Sequence, residues 1–537
     1  MLLLFIVYPL VELLIRAVSV KGGLDLGPAI GVLASPDTWR AFRNSLELAA
    51  LVGVLGTAAG FLFAFTVEHA GFGRTWRRIL DLSILLPLIS PPFTNSISFI
   101  FSFGSRGIIT YHLLGLSHFQ IYGLWSTMFS ESLTYFPLAY LTLRPMLAGI
   151  DGSLEEMAFS LGSSRRRVFR TVILPLTVPG LANAFLLVFA ASLADFATPL
   201  ILAGNTPVLP TEAFLRISGL FDLRGGAVLA LLLLIPALAV FFAQRRWVAR
   251  RSYVTVTGRS GHVAAQQAPP GVVRAAMLAG CLLIVALVVF LYALIFYASI
   301  IKTFGANNTL TWHHYHVIFT EGLPTIRDTL IIAAITTPLG GFYSVIVGTL
   351  VARSRSRGSQ AMEVVSMLNY ALPGTIIGIA YLIAFNGPPI VLTGTAIIII
   401  VCCVFYYSPA GIRTTVALMH QIDRSIEEAS TSLGAGSFRT FRRITLPLVL
   451  PGLFAGLSVL FIRTMTAISA TIFLVSVHWN LITVAILEDM TELQLGPASA
   501  FSVFVIAVVL VVLGGLGVLL RSLSRSRGAL GAEAISG

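Results

Sequence analysis

Twelve apolar stretches, most of them close to twenty residues long, dominate this sequence, and they constrain its fold more than any other feature. They lie near 1–20, 45–67, 79–102, 121–143, 180–203 and 226–244, then near 275–299, 329–352, 363–385, 390–411, 452–475 and 500–520. A bilayer core about 30 Å thick requires roughly 20 such residues per helix, because unsatisfied backbone groups are not tolerated in hydrocarbon. The expected fold is therefore an all-α polytopic membrane protein. Composition agrees, since 56% of residues are apolar and only 11% charged, against about 25% charged in soluble domains. A soluble enzyme, a disordered chain and a secreted disulfide scaffold are excluded. Cys281, Cys402 and Cys403 all fall inside apolar runs, with neither a disulfide framework nor zinc-ligand spacing.

The net charge of +12 is almost entirely an arginine excess, since Lys21 and Lys302 are the two lysines. If the N-terminus is cytoplasmic, 25 of the 35 basic residues fall in inner segments. They cluster at Arg74–Arg78, Arg144–Arg170, Arg245–Arg274, Arg353–Arg357, Arg413–Arg443 and Arg521–Arg527. The positive-inside rule then places both termini inside, which accounts for the charge without nucleic acid. The first stretch carries Glu12 and Arg16 and lacks a basic n-region and a small-residue cleavage site. It reads as a short first transmembrane helix rather than a signal peptide.

The chain repeats itself. Asp151, Ser153, Glu155, Glu156 and Gly162 recur 272 residues later as Asp423, Ser425, Glu427, Glu428 and Gly434. Arg167, Phe169, Arg170, Pro175 and Gly180 recur at the same offset as Arg439, Phe441, Arg442, Pro447 and Gly452. Earlier residues, such as Arg43 and Gly56, match Arg327 and Gly340 at an offset of 284. Two tandem six-helix units follow, 1–247 and 273–537, joined by a cytoplasmic linker at 248–272. With an even number of spans each, both insert the same way round.

The best-repeated segments are the inner loops 151–175 and 423–447. Ser153 with Glu156, and Ser425 with Glu428, have the spacing of a capping box that starts a helix. Gly162 and Gly434 suit the left-handed residue that ends one. A second, arginine-bearing helix follows, closed by Pro175 and Pro447 before the next span.

These loops carry a resemblance. Glu156-Met-Ala-x₃-Gly162-x₉-Val172-x-Leu-Pro175 and Glu428-Ala-Ser-x₃-Gly434-x₉-Ile444-x-Leu-Pro447 are similar to the EAA loop of ATP-binding-cassette (ABC) importer permeases, E-A-A-x₃-G-x₉-I-x-L-P. Met157, Val172 and Ser430 are conservative departures. The resemblance implies a type I importer fold in which each loop is a coupling helix seated on a separate cytoplasmic ATPase. Glu156, Ala158, Gly162 and Pro175, with Glu428, Ala429, Gly434 and Pro447, are the implied coupling residues, alongside their plainer roles in capping and turning. Neither lysine stands in a G-x₄-G-K-[ST] phosphate loop. ATP and magnesium are therefore expected on the partner ATPase, a homodimer with one groove per half, and no cofactor on this chain.

Fused double permeases of this length resemble the ferric-iron subfamily, whose relatives handle thiamine, 2-aminoethylphosphonate and sugar phosphates. Leu193–Pro199, Ser252–Gly258 and Arg463–Ser469 are similar to that subfamily. The resemblance implies delivery by a periplasmic or lipid-anchored solute-binding protein in an inner membrane. It also implies alternating access driven by ATP in the partner. Asp195 and Arg463 stand in the fifth span of their halves, where a charge costs roughly 2.5–3.5 kcal/mol to insert. Either they line the substrate path or they fix packing as an ion pair. Arg463 with Thr464, Thr466, Ser469 and Thr471 offers donors to an anion, whereas ferric iron favours carboxylates. Iron is the first expectation and an anionic phosphorus compound or thiamine the alternative.

His313, His314 and His316 could hold a metal, but no carboxylate or cysteine stands close by in sequence, and Trp312 and Tyr315 suggest an interfacial stub with a structural role. Pro87 and Pro373 are expected to mark kinks. A secondary transporter is the competing class, yet apart from Asp195 few intramembrane carboxylates could couple ions, and it needs no duplicated docking loops. A membrane enzyme would offer a nucleophile–base pair or metal cluster, and none is apparent.

Overall fold

The computed structural model of the chain describes residues 1–20, 23–116, 119–250, 269–354 and 356–536. The chain forms two compact units, one comprising Asp25–His314 and the other Met1–Leu24 with Tyr315–Gly537.

The chain begins with a π-helical turn from Leu3 that winds into α1 (Tyr8–Val18), followed by a hairpin of β1 (Ser19–Val20) and β2 (Gly23–Leu24). The short α2 (Gly27–Ala34) precedes α3 (Pro36–His69), and α4 (Arg74–Ile89) and α5 (Phe93–Phe103) follow. Next come α6 (Leu124–Ala148), α7 (Gly152–Ser160) and α8 (Arg165–Val168), which continues into α9 (Leu174–Leu193). Then α10 (Ala197–Leu202) and α11 (Leu209–Ser218) lead to α12 (Leu223–Arg250). After the linker, α13 (Gly271–Ser299) runs to a hairpin of β3 (Ile301–Thr303) and β4 (Asn307–Leu310), and then to α14 (His313–Thr320). The second half repeats the order with α15 (Leu323–Arg353), α16 (Arg357–Ala371), α17 (Gly374–Ala384), α18 (Ala396–Tyr407) and α19 (Pro409–Gln421). It ends with α20 (Arg424–Ser432), α21 (Ser437–Thr440), α22 (Leu446–Met465), α23 (Ile482–Thr491) and α24 (Leu495–Ser536).

Six of these helices are long and apolar enough to cross a bilayer, and four bent pairs raise that number to 10 among the described residues. Leu3–Val18 and Leu124–Ala148 match the expected first and fourth spans, so the fold is the all-α, two-times-six architecture read from the sequence. Exposed Val54, Leu283, Phe342 and Val511 are what lipid-facing sides require.

Three features depart from the expected spans. The third and ninth are broken, α4 from α5 by 101° and α16 from α17 by 104°. Pro373 stands at the second break as expected. Pro87 lies inside α4, and the first break falls at Ser90-Pro91-Pro92 instead, where two successive residues without N–H groups interrupt the helix. The fifth and eleventh spans end at Leu193 and Met465, about ten residues early. Asp195 explains the first of these, because its Oδ1 accepts from the Ala197 and Thr198 N–H groups (2.9 and 3.3 Å) and turns the chain into α10. Finally, α11 and α23 were not expected. The Ser45 hydroxyl accepts the N–H of Leu209 (2.8 Å), and the Thr329 hydroxyl accepts that of Ile482 (2.9 Å). Ser45 and Thr329 are themselves related by the 284-residue offset.

The compact units also exchange their first helices relative to the sequence repeat. Helix α1 belongs with α15–α24, where Phe5 stacks on Phe405 at 5.2 Å and the Tyr8 hydroxyl donates to the Ala384 carbonyl (3.3 Å). Helix α13 belongs with α3–α12, where the Ser98 hydroxyl donates to the Leu291 carbonyl (2.8 Å) and the Arg274 guanidinium lies 4.4 Å over the Phe72 ring. Most of the 248–272 linker, including Ser252–Gly258, lies outside the described residues.

Candidate functional site

The duplicated loops fold as twin helices with matched ends, although not through the expected capping boxes. The N-caps are Asp151 and Asp423, whose carboxylates accept the N–H of Ser153 and Ser425, each at 3.0 Å. The serines thus stand inside the first turn, where their N–H groups need an acceptor. These same bonds hold both aspartate carboxyls below the usual carboxylate range. At the other end the glycines behave as read, with φ of +77° at Gly162 and +81° at Gly434. Gly162 N–H reaches the Phe159 carbonyl (2.9 Å) and Ser163 N–H the Ala158 carbonyl (3.0 Å). Gly434 and Ala435 repeat this on Thr431 (3.0 Å) and Ser430 (3.1 Å), so both helices close with a Schellman motif.

Glu156 and Glu428 are exposed, Ala158 is half-buried and Ala429 exposed. The residues capping each C-terminus, Leu161 and Leu433, are 85% and 88% exposed. An exposed leucine in an isolated position means little, but here the same uncovered leucine recurs at the 272-residue offset, each time on a loop whose helix also exposes a glutamate. Pro175 and Pro447 do not close the loops. The arginine-bearing helices run through π turns at Phe169–Ile173 and Phe441–Thr445 directly into α9 and α22. The wider winding fits where a proline removes an N–H; the first loop is continuous with its span over Arg165–Leu193, whereas the second span bends by 65° between Leu450 and Gly452.

The glutamate before the motif is where each loop helix approaches the end of a long helix, α3 in the first half and α15 in the second. Glu155 is buried and its Oε1 lies 3.5 Å from Nε2 of His69, the last residue of α3, which itself stacks on Phe65 at 4.8 Å. At the equivalent place, the Glu427 Oε2 lies 2.9 Å from Nε of Arg353, the last residue of α15, and the Thr445 hydroxyl donates to its Oε1 (2.8 Å). Histidine 69 and arginine 353 are equivalent at the offset of 284. The sequence contained this signal, since Glu155 and Glu427 repeat as faithfully as Glu156 and Glu428, but the known loop pattern drew attention to the second glutamate only.

Asp195 is buried within its own unit. Besides turning the chain, it accepts from the Tyr135 hydroxyl through Oδ2 (3.0 Å). One turn before Tyr135 on α6 stands Glu131, 0% exposed, whose Oε2 accepts from the Ser192 hydroxyl. Sequence reading missed Glu131, the one acidic residue of an otherwise uncharged run, Leu124–Leu143. Arg463 is half-buried in the last turn of α22. Its expected companions are largely engaged elsewhere. The hydroxyls of Thr464 and Thr466 donate to the Leu460 and Ile462 carbonyls (both 2.9 Å), and that of Thr471 reaches the Ile468 carbonyl (3.5 Å).

Of the three clustered histidines, His314 is buried with Nε2 2.8 Å from the Ile301 carbonyl, bracing the β3–β4 hairpin, while His313 and His316 are exposed. Among the described residues no group of three or more His, Cys, Asp or Glu is assembled to hold a metal ion.

Comparison with known proteins gives concordant results. Residues 56–253 and 344–525 match the family described as binding-protein-dependent transport system inner membrane component. The chain is 35% identical over 483 residues, 88% of its length and 76% of the relative's, to a putative ferric transport system permease protein of Haemophilus influenzae. It is 34% identical over 527 residues to a ferric transport system permease protein of Actinobacillus pleuropneumoniae, covering 95% of this chain and 75% of that one. A molybdenum transport system permease protein of Escherichia coli is 32% identical over 177 residues, 33% of this chain and 76% of its own.

Proposed function

From the premise that this chain belongs to the family of binding-protein-dependent transport system inner-membrane components, and is thus a transport subunit rather than an enzyme, we propose that it is the double permease of an ATP-driven importer of ferric iron. The observation that carries the proposal is the pair of Schellman-closed helices, each offering an exposed leucine and glutamate at the same position of the repeat. In this reading α7 and α20 dock on the two subunits of a cytoplasmic ATPase dimer. ATP binding draws the subunits together, and hydrolysis resets them. Because α8 runs without interruption into α9, the displacement passes directly to a transmembrane helix in the first half, and through the 65° bend of α22 in the second. The arginine distribution supports placing these loops and both termini in the cytoplasm, with a solute-binding protein delivering cargo to the outer face.

Iron is favoured by the relatives named as ferric permeases and by the buried carboxylates of the first half. The anionic alternative loses support because three of the hydroxyls near Arg463 already bond backbone carbonyls. The test is reconstitution of the chain with its ATPase and binding protein in proteoliposomes. Expected are no ATP hydrolysis by the chain alone and ATP-dependent uptake of ferric iron by the complex. ATP-independent uptake driven by an ion gradient would replace the reading with a secondary transporter, and uptake of a phosphonate in place of iron would replace the cargo.

A further inference from the structure

Two turns of helix in the first-half bundle gather an all-oxygen cluster that the docking loops do not explain. Glu131 and Tyr135 lie four residues apart on α6, hence on one face. Ser192 and Asp195 lie three apart where α9 ends, and the two pairs interlock. The Ser192 hydroxyl donates to Glu131 Oε2, the Tyr135 hydroxyl donates to Asp195 Oδ2 (3.0 Å), and the Asp195 N–H reaches the Ser192 carbonyl (3.0 Å). Glu131 and Asp195 are 0% and 4% exposed, and among the described residues no ion pair reaches either.

A second observation points to a ligand. Glu131 Oε1 is buried with no hydrogen-bond partner, as are the hydroxyls of the neighbouring Ser130 and of Thr94 and Ser96 on α5. Helix α5 meets α6 here, since Asn95 between those two residues donates to Thr134 (2.7 Å), next to Tyr135. An unsatisfied carboxylate oxygen in a sealed site is costly, and intramembrane carboxylates persist mainly where they serve transport.

We propose that Glu131 and Asp195, assisted by Tyr135 and Ser192, form a transit site that briefly occludes a hard multivalent cation. The proposal deepens the reading of the chain as a ferric permease and rests on it. Two buried carboxyls with no basic partner are neutral when they hold protons or when a cation replaces those protons, and donors that are all oxygen select a hard cation over a thiophilic metal. The group has two carboxylates rather than the three or more ligating side chains of a resident metal centre, which suits a site that must also release its ion. It is one-sided. At the offset of 272 the second half has Cys403 in the place of Glu131 and Ala467 in the place of Asp195, so the cluster belongs to the first half alone.

The test combines binding and transport. Retention of radioactive iron(III), supplied as its citrate chelate, is measured on the purified full chain, and uptake on the reconstituted complex. Expected is at least a tenfold loss of both in Glu131→Gln, which keeps the bond to Ser192 but removes the charge, with the variant still abundant in the membrane. Asp195→Asn carries the same expectation and stands in should the first variant fail to accumulate. Wild-type retention and uptake in both variants, or no iron retention by the wild-type chain, overturns the site. A wild-type chain that retains iron in a Glu131-dependent manner but imports another solute sinks the ferric reading and leaves the site standing.

Discussion

The helix of the first duplicated loop rests against a histidine and that of the second against an arginine, although both loops share an aspartate cap and a Schellman closure. Glu155 meets the His69 ring across 3.5 Å in a site where both side chains are under 10% exposed, with Phe65 stacked behind the ring. Glu427 meets a guanidinium at 2.9 Å, takes a further bond from Thr445, and leaves about a fifth of each side chain in solvent. The difference is one of charge. Arginine is always protonated, whereas histidine is charged only when it has bound a proton. The two halves share the capping, the turn and the glutamate but differ in the residue beneath it, so the two seats are expected to hold with different strength.

Several substitutions would break or sharpen that contrast. The largest effect is expected where the halves are alike. Gly162→Pro or Gly434→Pro forces φ to about −65° at residues that stand at +77° and +81°, and removes an N–H that closes the Schellman motif. Either change should abolish ATP-driven transport and ATPase docking while the chain still inserts, as read by membrane abundance and co-purification. Transport at the wild-type rate by both variants would end the coupling assignment. Next, Arg353→Ala should loosen α20 by about 2 kcal/mol, the order of cost for removing the counter-charge of a mostly buried carboxylate. His69→Ala should loosen α7 by about 1 kcal/mol. Hydrogen exchange of the two helices measures both, and equal losses would show that the two seats do not differ in strength.

A third change places one half's residue type in the other half's seat. In Arg353→His, the contact with Glu427 is fully present only while the new histidine is protonated. Protection of α20 should therefore fall as pH rises from about 5.5 to 7.5, whereas the parent seat stays flat over that range. The smallest effects are expected at the caps, which are identical. Asp151→Ala and Asp423→Ala should fray the first turns of α7 and α20 to the same modest extent. Because both carboxyls are held below their ordinary range, this capping should persist to mildly acidic pH and be lost only as pH falls through the lowered values. Circular dichroism of the two loop peptides against pH checks the sign.

Spans, repeat and loops were legible because each rests on a periodic or duplicated pattern that local physics produces. The capping boxes misled because Ser153 and Ser425 match the three-residue spacing to Glu156 and Glu428, while Asp151 and Asp423, two residues earlier, are the better acceptors for the first turn. The helix breaks at Ser90–Pro92 and after Leu193 were hidden by apolar composition that continues across them. Glu131 escaped notice because a single acid in an apolar run has no pattern, and its relation to Asp195 exists only once α6 and α9 are packed. The seat residues His69 and Arg353 were invisible for the same reason, since nothing local marks the last residue of one helix as the partner of a glutamate far along the chain.

The exchanged first helices have a consequence for how this molecule is made. A ribosome produces α1 long before α15–α24, the helices that bury it, and it produces α13 only after α3–α12 are complete. The N-terminal helix must therefore wait in the bilayer for nearly the whole of synthesis, while the first-half bundle stays unfinished until the linker has passed. Cutting the chain within 251–268 would yield two fragments, neither of which contains a whole unit, yet each carries the helix the other lacks. Such fragments should be degraded when made singly and rescued when made together, because their assembly is a mutual completion that neither can supply for itself.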